Sequence, residues 1–296
     1  MTLRISRLAF ATFATPDTSQ LGDYYVSVLG LAESARQGAA IHLASRQGET
    51  CLVLEPGEAS ACTGLGFACD PAIPLADVAR WLGTQGIESQ IRSDAMAGRP
   101  ASLRFRDFKG TVIDLFHAPP PAGNGAPRVA PIAPAKLGHV AFYVADIGRA
   151  VAFYRDILGF RISDWMEDFF VFMRCGPEHH TCNFISSANR GMHHMAFELS
   201  DWGEVRTACD WLARHKIKVT WGPGRHGPGH NIFLYHRNPQ GQLVELFTEL
   251  DTMSDEGSGV FDPKPWHVDT PQRPKVWRAA EAANLWGDGP PPGHRS

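Results

Sequence analysis

Three side chains in the second half of the 296-residue chain have the types and spacing of a metal site. His139, His194 and Glu245 each lie in a short apolar run that is typical of a β-strand. Glu245 stands between Val244 and Leu246, and burying an unpaired carboxylate is expensive, so a cation is its natural partner. Two imidazoles and one carboxylate form the ligand set that holds Fe(II) and leaves several coordination positions open.

The sequence contains an internal repeat, so the three residues can be compared with their counterparts in the first half. Tyr25–Leu31 is similar to Tyr154–Phe160, and Lys109–Phe116 is similar to Gln240–Phe247. A strand-then-helix pattern also recurs inside each half, which predicts two βαβββ modules per half. We therefore predict an α+β fold of four βαβββ modules in two tandem domains.

The first half lacks the metal ligands. Its residues at the positions that we align with the three candidate ligands are Arg7, Gly64 and Asp114. Such a set cannot hold the same metal, so the first half is expected to be a structural copy.

The composition of the chain changes at two points. The stretch before residue 137 is rich in proline and glycine, and the stretch after Leu250 is rich in proline and tryptophan. We predict a metal-free domain over 1–118, a connector over 119–136, a catalytic domain over 137–250 and a tail over 251–296. Because a disordered tail would carry fewer aromatic residues, we expect the tail to pack on the body or on a neighbouring subunit.

Charge and cysteine usage exclude several classes of function. The net charge is −3, with 28 basic and 31 acidic side chains intermixed, so neither a nucleic-acid partner nor a membrane surface is indicated. No signal peptide or membrane-spanning segment is recognisable, and a cytoplasmic location is expected. The six cysteines include no CxxC pair and are expected to be reduced core residues.

A glycine-rich segment, Trp221–Phe247, combines two turns, several histidines, a tyrosine and Glu245. Together with Lys136–Phe142 and Gly191–Glu198, it resembles the type I extradiol ring-cleavage dioxygenases of the vicinal oxygen chelate superfamily. The resemblance is strongest from about residue 136 to residue 249. It implies that each domain is a half-open mixed β-barrel flanked by helices.

The resemblance also implies roles for single residues. His139, His194 and Glu245 would hold Fe(II), with Mn(II) as the alternative metal. His180 would lie beside bound oxygen, while His226 and Tyr235 would be the other acid/base residues.

Two adjacent histidine pairs leave alternatives open. His179 competes with His180 for the oxygen side, although the family register favours His180. His193 neighbours His194, but the alternation of a strand would point the His193 side chain the other way.

Five further residues are candidates for substrate binding: His230, Asn231, Trp221, Phe172 and Met192. Some relatives that act on carboxylated catechols carry an arginine where this chain has Trp221, which argues against a carboxylate on the substrate. Other aromatic residues, such as Phe169 and Phe170, could line an apolar pocket or belong to the ordinary core.

The expected reaction is the cleavage of a catechol by O2 beside its two hydroxyl groups, which gives a yellow product of the 2-hydroxymuconic semialdehyde type. One alternative is a non-oxidative lyase or isomerase that resembles glyoxalase. Another is a non-catalytic protein that binds aromatic compounds or drugs. The relatives that the chain resembles are commonly oligomers, so a homo-oligomer is expected.

Overall fold

In a computed structural model that describes residues 3–96, 99–117 and 130–294, the chain forms four βαβββ modules. The first module consists of β1 (Ile5–Thr15), α1 (Thr18–Ser27), β2 (Ala32–Gln37), β3 (Ala40–Ala44) and β4 (Thr50–Pro56). The second consists of β5 (Ala61–Cys69), α2 (Leu75–Thr84), β6 (Ser89–Met96), β7 (Arg99–Arg106) and β8 (Val112–His117). Residues 119–129 of the predicted connector lie outside the described residues.

The second half repeats this order. The third module consists of β9 (Lys136–Val144), α3 (Ile147–Ala152), a π-helical turn (Phe153–Ile157), β10 (Arg161–Met166), β11 (Phe170–Arg174) and β12 (Cys182–Ser186). The fourth consists of β13 (Gly191–Glu198), α4 (Trp202–Arg214), β14 (Val219–Arg225), β15 (Ile232–Arg237) and β16 (Leu243–Thr248). The tail contributes β17 (Val276–Trp277) and α5 (Ala279–Ala282).

Each half forms one mixed sheet. The strand order is β2-β3-β4-β1-β5-β8-β7-β6 in the first half and β14-β15-β16-β13-β9-β12-β11-β10-β17 in the second. Two modules join in each sheet through a central antiparallel pair, β1 with β5 and β9 with β13. The predicted α+β fold of four βαβββ modules is confirmed.

The helix after β9 is capped at its N-terminus by Asp146. The Asp146 side chain accepts a hydrogen bond from the backbone N–H of Arg149 and so satisfies one free donor of the first turn. The α-helix ends at Ala152, however, and a π-helical turn carries the chain onward. Tyr154 and Leu158 are nevertheless buried.

The repeat alignment at β1 requires a correction. His139 faces Ala196 across the central strand pair of the second half, and the corresponding pair of the first half joins Phe10 to Gly66. Phe10 is therefore the counterpart of His139, and the alignment of His139 with Arg7 was wrong by three residues. The helix cap sets this register, because Asp17 stands after Phe10 as Asp146 stands after His139.

The other two alignments hold. In the first half Gly66 faces Asp114, as Ala196 faces Glu245 in the second half, and Gly64 is therefore the counterpart of His194. Since Phe10 and Gly64 offer no ligand atom, the first half lacks the metal set, as expected.

The two halves share one apolar core. Tyr25 and Met195 come from different halves and are in contact, with the Tyr25 hydroxyl 3.4 Å from the Met195 sulfur. The buried Tyr24 hydroxyl is hydrogen-bonded to Nε2 of His236, and the Trp211 indole N–H donates to the carbonyl of Val28. The halves are thus joined by apolar burial and by specific polar contacts.

The tail packs against the third module. Its strand β17 pairs in parallel with β10, and the Trp277 indole N–H donates to Asp164 Oδ2 over 2.6 Å. All six cysteines are free, and burial raises the pKa of Cys182 well above its usual value. No described helix is both long enough and apolar enough to cross a membrane.

The buried His236 makes stability dependent on pH. Burial lowers the pKa of His236 from 6.5 to about 3, so between these values the unfolded chain binds a proton that the folded chain does not. Stability from this residue is complete above the unfolded value and is lost as the pH falls toward the folded value. The expected loss is about 1 kcal/mol between about pH 6 and pH 5.

Urea unfolding of the wild type and of His236→Gln over this pH range measures the effect. The variant is expected to be less stable at neutral pH, yet its stability should fall less steeply with acid. Tyr24→Phe is the matched control, because it removes the hydroxyl partner and keeps the buried imidazole. Equal slopes for wild type and His236→Gln would contradict the assignment.

Candidate metal centre

Three neighbouring strands bring His139, His194 and Glu245 together. Strand β13 lies between β9 and β16, and its Ala196 faces His139 on one side and Glu245 on the other. His194 lies two residues earlier on the same strand and therefore projects from the same face. All three side chains are buried.

Their ligand atoms form a triangle. His139 Nε2 lies 3.2 Å from His194 Nε2 and 3.2 Å from Glu245 Oε2, and the third edge, from His194 Nε2 to Glu245 Oε2, is also 3.2 Å. One proton can form a hydrogen bond between only two of the three atoms, whereas a cation at the centre contacts all three. Neighbouring ligands that bind one divalent ion at about 2.1 Å are about 3 Å apart, so the three residues fit a metal.

Two donors orient the carboxylate. Glu245 Oε2 accepts the Tyr235 hydroxyl proton over 2.8 Å, and Oε1 accepts from the Asn231 amide over 2.9 Å. Burial opposes ionisation of Glu245, but the charge and hydrogen bonds of His139 and His194 outweigh it and hold the pKa of Glu245 well below its usual value. These partners therefore keep Glu245 as an oriented anion.

His226 lies beside Tyr235 in one defined tautomer. Its Nδ1–H donates to the carbonyl of Ala283 over 2.7 Å, which leaves the lone pair on Nε2, 3.2 Å from the Tyr235 hydroxyl. The imidazole also stacks on Phe233 with the ring centroids 3.8 Å apart. Burial lowers the pKa of His226 to about 4, so this side chain is a neutral proton acceptor at neutral pH.

His180, and not His179, reaches the cavity beside the triangle. The His180 ring lies edge-on to His139 with a centroid separation of 4.3 Å and contacts Phe172 at 5.4 Å. His179 points the other way, with Nε2 3.1 Å from Asp164. Burial, with a smaller contribution from His139, lowers the pKa of His180 well below its usual value.

The cavity in front of the triangle is small, with a volume of about 70 Å³. Its apolar wall consists of Met166, Phe169, Phe170, Phe172 and Ile185. Trp221 covers another side and stacks on Tyr235 with an interplanar angle of 16°. The tail closes the cavity through Ala283, Pro290 and His294.

The five predicted substrate contacts have different positions. Trp221 and Phe172 line the cavity, whereas Asn231 lies behind Glu245 and orients it. The structure does not bring His230 there, because its Nδ1 is bonded to Asp251 Oδ2 over 2.7 Å. Met192 lines a neighbouring depression beside Arg237.

Two polar side chains of the cavity were not predicted from the sequence. Asn183 lies on β12 beside Ala141, and its Oδ1 has no hydrogen-bond partner among the described residues. His294 packs edge-on to Tyr235 at 4.7 Å, and burial lowers its pKa to about 3. No periodicity or turn motif marks His294, which reaches the cavity from the proline-rich tail.

The first half shows what replaces a metal in this fold. Arg104 faces Asp114 on β7 and β8, as Tyr235 faces Glu245 on β15 and β16. The Arg104 guanidinium binds both carboxylate oxygens of Asp114, over 2.9 Å and 2.6 Å. In the first half the carboxylate is thus neutralised by a side chain.

Residues 136–246, which carry the whole triangle, match the family model described as the Glyoxalase/Bleomycin resistance protein/Dioxygenase superfamily. These residues are similar to that superfamily. Metapyrocatechase 2 of Cupriavidus necator is 29% identical over 215 residues, which cover 66% of each chain. An iron-dependent extradiol dioxygenase of Rhodococcus jostii is 24% identical, covering 96% of this chain and 97% of that one.

A solved structure shares the fold. The Mn(II)-bound glyoxalase from Novosphingobium aromaticivorans is 22% identical, with a TM-score of 0.82 over 98% of this chain and 93% of that chain. The resemblance to extradiol dioxygenases of the superfamily, predicted from the sequence, is confirmed by the relatives.

Removal of one ligand tests the metal centre. His194→Ala should abolish tight binding of a divalent metal, because two remaining ligands cannot replace a set of three. Emission spectrometry of dialysed protein measures the bound metal per chain. His226→Ala is the control and should keep its metal, since His226 does not reach the triangle. Equal metal content in both variants would contradict the assignment.

Proposed function

We propose that the protein is an Fe(II)-dependent extradiol dioxygenase that cleaves a catechol with O2. The observation that carries the proposal is the convergence of the triangle with His180, His226 and Tyr235 on one apolar cavity. Fe(II) is the metal that best suits two imidazoles and a carboxylate with open positions, and Mn(II) is the alternative.

Bound Fe(II) would supply one centre at which both catechol oxygens and O2 meet. Tyr235 and His226 lie on one side of that centre and would manage the substrate proton. Burial, and then the charge of Glu245, raise the pKa of Tyr235 well above its usual value, so its hydroxyl stays protonated. If the Tyr235 proton turns from Glu245 Oε2 to Nε2 of His226, 3.2 Å from the hydroxyl, a catechol proton can take its place on the hydroxyl.

His180 would serve the oxygen side. Its ring touches His139 and the aromatic wall, and these contacts support a position beside the second reactant. A neutral imidazole can hydrogen-bond an oxygen species and exchange a proton with it. His180 and His226 are separate proton-exchanging groups, as a reaction with one proton taken from substrate and one given to oxygen requires.

The cavity walls favour an uncharged substrate. No lysine or arginine lines the cavity in the described part of the chain, and the walls are mostly aromatic. Trp221 stands where a carboxylate-binding arginine would be expected for an acidic catechol. We therefore propose a catechol with a small apolar substituent or none. The homo-oligomer and the cytoplasmic location remain predictions.

A non-oxidative glyoxalase-like reaction is the second candidate, because the fold also matches a Mn(II)-bound glyoxalase. That likeness concerns the fold alone. The pairing of His226 with Tyr235 and the separate position of His180 favour ring cleavage, since an isomerase needs no group on an oxygen side. A non-catalytic binding protein would not need the ligand triangle.

An activity assay tests the proposed function. Anaerobically purified protein is loaded with Fe(II) and mixed with catechol, 3-methylcatechol and 3,4-dihydroxyphenylacetate, while O2 uptake and visible absorbance are recorded together. We expect equal consumption of O2 and substrate with a yellow product, faster for the two uncharged catechols. Absence of O2 uptake by iron-loaded protein, with a non-oxidative reaction on a hemithioacetal, would favour the second candidate.

Tyr235 provides a second test. Tyr235→Phe removes the hydroxyl between substrate and His226, so kcat should fall by about 10²-fold to 10⁴-fold. The bound metal should remain, because all three ligands are intact and the Asn231 amide still orients Glu245. Steady-state O2 uptake and metal analysis of the same preparation check both points. Thr220→Val serves as a control, since it removes a hydroxyl from the neighbouring strand outside the cavity. An unchanged kcat in Tyr235→Phe would remove Tyr235 from the mechanism.

A further inference from the structure

Behind His180, on the side away from the cavity, two buried residues continue a hydrogen-bonded chain. His180 Nδ1 lies 2.9 Å from His179 Nδ1, and His179 Nε2 lies 3.1 Å from Asp164 Oδ2. Asp164 and His179 are each 1% exposed. Neither residue contacts the cavity, so the reaction as described above does not use them.

The hydrogen-bond partners of Asp164 indicate where the protons lie in this row of three side chains. Asp164 Oδ1 accepts the backbone N–H of Lys275 over 2.8 Å, and Oδ2 accepts the Trp277 indole N–H over 2.6 Å. Both partners can only donate, so the carboxylate acts as an acceptor throughout. His179 must therefore carry a proton on Nε2 and donate it to Asp164.

One proton lies between the two facing nitrogens. His179 donates its Nε2 proton to Asp164, so we assign the shared proton to His180 Nδ1, with His179 Nδ1 as the acceptor over 2.9 Å. The lone pair of His180 is thereby left on Nε2. In the opposite tautomer, two nitrogen lone pairs would face each other across 2.9 Å in a buried site.

We propose that Asp164 and His179 are positioning residues that fix His180 in the tautomer with a free lone pair on Nε2. This inference rests on the proposed function, in which His180 serves the oxygen side. With Nε2 unprotonated, His180 begins each cycle as a proton acceptor. A catechol carries two hydroxyl protons, of which one passes to His226 and the second to His180 Nε2, which later gives it to the oxygen species. The wrong tautomer would present an N–H at the same place.

The tail takes part in this arrangement. Trp277 of β17 and Lys275, which precedes the strand, supply both donors that hold Asp164, so the tail is linked to His180 through Asp164 and His179. If Asp164 and His179 only anchored the tail, variants of His179 would not change the tautomer of His180. If they set the tautomer, such variants would change it. The two are separated by variants of His179 that leave Asp164 and β17 unchanged.

Nuclear magnetic resonance of the ring nitrogens tests the inference without activity. Metal-free protein is labelled with ¹⁵N-histidine, and the His180 signals are identified by their loss in His180→Asn. We expect a protonated Nδ1 and an unprotonated Nε2 in the wild type. His179→Leu should give a mixture of tautomers, whereas His179→Gln, which keeps a donor and an acceptor, should preserve the wild-type tautomer. A proton on Nε2 in the wild type would overturn the proposal.

Kinetics of the Fe(II)-loaded variants complete the test. His179→Leu should lower kcat by about 10-fold to 100-fold, with KM and metal content close to wild type, and His179→Gln should recover most of kcat. Wild-type kcat in His179→Leu would overturn the positioning role. If the wild type cleaves no catechol, the proposed function fails, while the tautomer of His180 is still decided by the resonance data.

Discussion

The close approach of two imidazole nitrogens and one carboxylate oxygen is the interaction on which the second half depends. Three ligand atoms, each 3.2 Å from the other two, belong to buried side chains. Without a cation, lone pairs and negative charge face each other there. Tyr235 and Asn231 orient the carboxylate. The position of β13 between β9 and β16 brings the three ligand residues close together.

The sequence predicted the modules and the ligand triangle because both are written in local patterns. The strand-then-helix pattern and the repeated strand motifs are visible without coordinates, and the family register favoured His194 over His193. The alternation of a strand predicted that His193 points away, but His193 also lines the cavity. The register of β1 was not predicted correctly, because Leu-Ala-Phe10 and Val-Ala-Phe142 look alike, while Asp17 and Asp146 carried the better signal.

Other features could not be predicted, because they depend on contacts between residues far apart in the sequence. His230 lies five residues before Tyr235, yet its side chain turns to Asp251 and not to the cavity. His294 reaches the cavity from the tail, and Asp164 meets Trp277 across 113 positions of the chain. Periodicity describes which face a residue occupies, but it does not describe what a distant segment brings to that face.

The ion pair of Arg104 with Asp114 has a consequence for how the two halves are made. During synthesis the first half emerges before the second, and it carries its own positive charge on Arg104. Its sheet can therefore close without help from the solution. A metal bound by the second half would bring that charge from the solution, so scarcity of the metal would affect one repeat of the fold and spare the other.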